Sequence, residues 1–193
     1  LIIDLDLSAT PLLKLNVVLD EVTGDVLAGQ GNGNLKIHTG TKEPLSMIGR
    51  FNISSGSYNF NFQDIFKKPF KLQGDGSSYI SWNGDPFNAE INIDALYVAE
   101  KVRMSTLFTD PSSSTITGVS SDVLSEISDV EVRCNLSGTL NKPNPTFQIV
   151  IPQNSAIKNN TTVDSKLKTI NRDPLEVSKQ ATYLIVFKSF APQ

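Results

Sequence analysis

Apolar side chains arrive at every second position over most of residues 1–151, the signature of half-buried β-strands. Ile3, Leu5 and Leu7 share one face of a first strand. Leu13, Leu15, Val17 and Leu19 share one face of a second, with Lys14, Asn16 and Asp20 opposite. A glycine-rich run, "AGQGNGNLKIH", leads into Leu35 and Ile37. The stretch "GRFNISSGSYNFNFQDIFKKPFKLQGDGSSYISWNGDP" (residues 49–86) then alternates Phe51 and Ile53, Tyr58, Phe60 and Phe62, Phe70 and Leu72, and Ile80 and Trp82 with polar residues. "FNAEINIDALYVAEKVRM" reads as the longest strand, with Phe87, Ala89, Ile91, Ile93, Ala95 and Tyr97 on one face. Late strands carry Val130, Val132, Cys134 and Leu136, then Phe147, Ile149 and Ile151. The spacing predicts about ten strands in an all-β, mainly antiparallel sheet, because the connections are too short for helical crossovers.

Three places depart from simple alternation. In "DALYVAEKV" both parities are apolar, which requires a bulge or a covered outer face. The Ser-rich residues 109–129 read as a loop or a short helix between strands. Residues 163–190 read as helical: Asp173 caps, Pro174 takes the first helical position, and Glu176 completes a capping box. Leu175, Val177, Tyr183, Leu184, Val186, Phe187 and Phe190 make this helix too apolar to stand free, and Asp164 is placed to cap a shorter turn before it. A short repeat, "NGDPFNAEINIDA" and "NPTFQIVIP", places a proline where each of two strands should begin.

Composition narrows the function. The 193 residues carry 17 Lys and Arg against 20 Asp and Glu, a net charge of -3, with no long basic run. Nucleic acid is therefore excluded as the main partner. Lysines cluster only in "IFKKPFK", read as a solvated strand end. A single cysteine, Cys134, precludes an internal disulfide and sits at a core position. The longest apolar run, "YLIVF", is far too short to cross a bilayer as a helix. Because the chain opens on a strand pattern without methionine, it is expected to be one β-rich domain (1–193) cut from a longer protein, any anchor lying outside it.

Catalytic groups are sparse. His38 is the only histidine, so a histidine-based metal site has no second member. No G-x-S-x-G elbow occurs, and the glycine-rich runs lack the Lys-Ser/Thr of a phosphate loop. Asp4 and Asp6 share a strand face that points to solvent. The expectation is a protein that is not an enzyme and needs neither cofactor nor metal. The sheet itself is the functional signal. It can bury its apolar face as a closed β-sandwich, or curve and leave a hydrophobic trough, and composition does not separate the two.

The order of the pieces does. "GRFNISSGSYNFNF", then "KPFKLQGDGSSYISWNGDPFNAEINIDALY", then "VEVRCNLSGTLNKPNPTFQIVIP" resembles the C-terminal domain of the TamB family, which is related to AsmA-like proteins. The closing "INRDPLEVSKQATYLIVFKSFAP" resembles members from the Bacteroidetes lineage. The resemblance implies a long curved sheet folded, taco-like, into a hydrophobic groove, with a C-terminal helix. It implies a place in the periplasm of Gram-negative bacteria, as part of an inner-membrane-anchored envelope protein. It implies phospholipid as ligand, passed between inner and outer membranes by non-specific hydrophobic binding, and a TamA-like barrel of the Omp85 type as partner. The alternative it carries is a factor that inserts outer-membrane proteins by β-strand augmentation. The chain ends at Gln193, before the last strands such proteins usually make, which leaves the barrel-contacting end in doubt. On this reading Leu15, Val17, Phe51, Ile53, Tyr58, Phe60, Phe62, Phe70, Leu72, Ile80, Trp82, Phe87, Ile91, Ile93, Val132, Leu136, Phe147 and Ile149 line the groove.

Overall fold

The computed structural model describes residues 1–20, 24–62, 66–109, 116 and 118–192. Its strands are β1 (Ile2–Asp20), β2 (Asp25–Gly40), β3 (Glu43–Phe62), β4 (Phe66–Leu72), β5 (Tyr79–Gly84), β6 (Glu90–Arg103), β7 (Ile127–Thr139) and β8 (Lys142–Val150). Helices α1 (Ser121–Ser125), α2 (Thr161–Arg172) and α3 (Pro174–Phe187) complete it. All eight strands form one sheet in the order β1-β2-β3-β4-β6-β7-β8, with β5 pairing both β3 and β6. Every pairing with a defined register is antiparallel. The sheet is curved and is not closed into a barrel.

Eight strands replace the ten expected because strands continue through their breaks. The two runs read from residues 1–20 are one 19-residue strand, in which residues 10–12 bulge out opposite the single Asn32 of β2. Two added residues preserve side-chain parity, so Leu7 and Leu13 face the same way. β3, 20 residues long and longer than the run after Pro86, carries a one-residue bulge at Ser54. That odd insertion switches parity and puts Tyr58 on the face of Phe51 and Ile53. β4 and β5 occupy consecutive parts of one lane between β3 and β6, interrupted by residues 73–78.

Prolines mark the strands less strictly than the repeat implies. Pro143 and Pro145 lie inside β8, not at its start. β8 is an edge of the sheet, where a missing N–H costs no ladder bond. Pro86 opens a single 3-10 turn (Pro86–Asn88), capped by Asp85, which accepts from the Phe87 N–H at 3.0 Å.

The chain divides into two compact units, Leu1–Leu96 with Asn135–Pro145, and Tyr97–Cys134 with Thr146–Gln193. The first is almost wholly sheet. In the second, Lys101 takes a left-handed backbone (φ 57°) in β6, its N–H held by the Asp129 carboxylate at 3.0 Å. The buried parity changes there, with Ala95 and Ala99 buried before it and Val102 and Met104 after it. The double parity of "DALYVAEKV" lies upstream of this point and is not explained by it. α3 meets β6 on the parity of Ala99, where the Tyr97 hydroxyl donates to the Ile185 carbonyl at 3.3 Å, while Val98 on the opposite parity stays exposed.

The C-terminal region is two helices. Asp173 ends α2 and starts α3, its carboxylate accepting from the Leu175 and Glu176 N–H groups at 2.9 and 3.2 Å, as expected of a cap. The expected capping box is not completed, because the Asp173 N–H donates to the Ile170 carbonyl and the Glu176 carboxylate is taken by Lys179 and Gln180. The cap of α2, however, is Asn160, which accepts from the Thr162 and Val163 N–H groups. Asp164 lies within the first turn and pairs with Lys168 at 2.7 Å. Asn begins the helix one turn earlier because its carbonyl oxygen reaches two free donors at once. Of the Ser-rich region, residues 110–115 and 117 lie outside the described residues; α1 and the start of β7 occupy its end.

Candidate functional site

Registers assemble the apolar positions of the first unit into rows across one face. Val17, Leu27, Tyr58 and Phe70 form one row. Gly33, Phe51, Ile80 and Ile91 form a second, and Leu7, Leu35, Gly49 and Trp82 a third. At two glycines in these rows an added Cβ would meet the backbone of the neighbouring strand. A Cβ on Gly33 would lie 2.0 Å from the Arg50 carbonyl oxygen, and one on Gly49 (φ 135°) would lie 2.1 Å from that of Asn34. Polar tips of the rings are satisfied: the Tyr58 hydroxyl donates to Asp25 at 3.2 Å, and the Trp82 Nε1–H to the Pro86 carbonyl at 3.2 Å.

Exposure on this face changes steadily across the sheet. Leu5 and Leu7 of β1 are 44% and 40% exposed, and Leu35 of β2 is at 9%. Phe51, Ile80 and Ile93 are at 0%. Among the sequence-predicted lining residues, Ile53, Tyr58, Phe70, Leu72, Trp82, Ile91 and Leu136 are also buried in this unit, and Leu15 and Val17 are half-buried. Val132 and Ile149 are buried and Phe147 half-buried in the second unit. The side chains of Phe60 and Phe62 lie outside the described residues. Phe87 does not line the face: it stands 74% exposed on the 3-10 turn, because the Asp85 cap and Pro86 end the alternation before it. Ile3, Leu5, Leu7 and Ile37 share this face although they were not among the expected lining residues; their alternation already marked them.

The opposite face is polar. Arg50 stacks over the Tyr79 ring at 3.6 Å and donates to Asn52 at 3.0 Å. Tyr79 donates to Glu90, and that bond raises its pKa, with desolvation adding to it. At the break between β4 and β5, the Ser77 hydroxyl bonds Asp94 at 2.6 Å, and Asn135 donates to Asn92 and Asp94 at 3.0 and 2.8 Å. Asp75 is held below the usual carboxylate range by the hydroxyl and backbone N–H of Ser77. His38 bridges three strands, its Nδ1 meeting Asp4 at 2.6 Å and its Nε2 meeting Glu43. The bonds to Asp4 and Glu43 raise its pKa above 6.5.

The two edges of the sheet differ. β8 is clamped by α2: the Asn171 side chain accepts from the Ile149 N–H and donates to the Ile149 carbonyl, both at 2.8 Å, as a neighbouring strand would. β1 pairs β2 on one side, and no strand pairs its other side among the described residues.

The sheet of the first unit thus has one apolar face, and the polar side chains named on the other face bond one another. The family model of the TamB C-terminal domain matches residues 1–193, and the chain belongs to that family. Membership places it among cell-envelope components of transport and assembly that work with an outer-membrane partner. The chain matches no curated protein and no solved structure at a significant level. No helix among the described residues is long and apolar enough to cross a membrane, which leaves membrane-crossing strands out of account.

Proposed function

We propose that the apolar face of the first unit holds the acyl chains of phospholipids and passes them between the inner and outer membranes, as one segment of a periplasmic groove. The observation that carries this reading is the exposure gradient, from leucines open on β1 to side chains fully buried on β3 and β5. Each methylene brought against such a face gains roughly 0.8 kcal/mol, with no polar contact required. Lining residues recur about every 6.8 Å along a strand, so an acyl chain meets similar contacts as it slides. A binding surface without directional bonds lets its ligand move on.

The test is native mass spectrometry of protein expressed in cells, comparing wild type with the double variant Leu5→Arg, Leu7→Arg. Both leucines are exposed, so the arginines leave the sheet intact by circular dichroism. Wild type should carry phospholipid and the variant should not. Lipid-free wild type, or a variant with undiminished lipid, sinks the reading.

The unpaired side of β1 supports a second reading, in which the edge accepts a strand of an Omp85-type barrel or its client. Prolines along β1 should then abolish partner capture, which the two arginines on the sheet face should leave unchanged.

A further inference from the structure

The second unit carries a cleft that the groove reading does not use. It measures about 510 Å³ and is lined by Glu100, Lys101 and Arg103 of β6 and by Phe187 and Lys188 at the end of α3. A second cleft of about 350 Å³ adjoins it, sharing Phe187, Thr106 and Ser189, and is walled by Tyr183, Phe190 and Pro192. One cleft is therefore cationic, its neighbour is largely aromatic and apolar, and Phe187 stands between them 62% exposed.

The backbone singles out the cationic cleft. Lys101 (φ 57°) and Lys188 (φ 53°) are the two non-glycine residues in the left-handed region among the described residues, and both line it. Glycine takes that conformation freely, and the position after a helix favours it. A long cationic side chain at both positions is therefore held against backbone preference, and such outliers concentrate at functional sites.

Charge sums in the same direction. Three cations face one carboxylate, and the Lys188–Glu100 pair is long (4.0 Å) and exposed on both sides. Such a pair is weak enough for Lys188 to turn to another anion. Asp129 is engaged by the Lys101 backbone, and the end of α3 contributes only about half a negative charge. A cationic cleft beside an aromatic one fits an anionic amphiphile: phosphate between the lysines and Arg103, hydrocarbon beside Phe187 and Tyr183.

We infer that this cleft is a docking site for anionic phospholipid at a membrane surface. The inference does not rest on the groove reading, since its residues all belong to the second unit.

The test measures sedimentation of the whole chain with vesicles of phosphatidylcholine alone and of equimolar phosphatidylcholine and phosphatidylglycerol, with soluble glycerol 3-phosphate as a third arm. Wild type should bind the anionic vesicles, bind neutral ones far less, and lose binding as salt rises. Lys101→Gly and Lys188→Gly each relieve an unfavourable backbone, so melting should hold or rise while binding falls about fivefold per charge removed. Phe187→Ser should weaken vesicle binding without changing the melt. Retained binding in both glycine variants overturns the proposal, as does equal binding to neutral vesicles. Glycerol 3-phosphate competing as well as vesicles would make this a free-phosphate site and overturn the amphiphile. Lipid co-purifying through the groove should persist in the glycine variants, so the two readings fail separately.

Discussion

Replacing Asn171 with leucine removes the clamp on β8 while keeping the size of the side chain. The wild-type amide satisfies both the N–H and the C=O of Ile149 at 2.8 Å, and Ile149 is 1% exposed. A buried backbone group left without a partner costs about 1–3 kcal/mol, so two such groups set a range of about 2–6. Asn171 is only half-buried, and Gln148 and Val150 beside Ile149 are not buried, so water can reach part of the edge. That places the loss near the lower end, about 2–3 kcal/mol. Leucine returns only a few tenths of a kcal/mol through better helix propensity. For a chain of this size each kcal/mol moves the midpoint by roughly 2–4 °C, so a drop of about 5–10 °C is expected. Calorimetry measures the drop, hydrogen exchange at Ile149 localises it, and gel filtration reads whether the bared edge associates. A variant that melts like wild type, with Ile149 still protected, would refute the view that α2 guards this edge.

Phe51→Ala empties the centre of the apolar face, where the ring is at 0% exposure, and should cost about 3–5 kcal/mol in urea unfolding. Gly49→Ala forces a side chain into φ 135° and against the Asn34 carbonyl at 2.1 Å. Where an ordinary glycine-to-alanine change inside a strand stabilises by roughly 0.5–1 kcal/mol, this one should destabilise the fold or prevent it, as expression and melting report. The raised pKa of His38 means that its charged form is favoured on folding. Its contribution is fully present below the ordinary histidine value of 6.5 and is lost as pH rises through the higher folded value. The stability difference between wild type and His38→Gln should therefore shrink as pH rises, and a pH-independent difference across that window contradicts the bridge.

Alternation alone determined that this chain is a sheet with one apolar face, because a strand sends successive side chains to opposite sides whatever surrounds it. Local capping chemistry likewise fixed the start of α3, since Asp173 and Pro174 act within one turn. What alternation could not determine was continuity across breaks. The bulge at Ser54 restores Tyr58 to the face of Phe51, and it exists only because β2 pairs both halves of β3. Phe87 kept the alternating rhythm yet left the face, because the turn at Pro86 overrode it. Nor could local pattern show which lining positions are open: Leu7 and Phe51 are alike in period, and only their places across the sheet make one accessible and the other sealed. The clamp of Asn171 on Ile149 and the meeting of Lys101, Arg103 and Lys188 join residues far apart in the chain. Periodicity reports the environment of one element at a time, and such pairings arise only when elements pack.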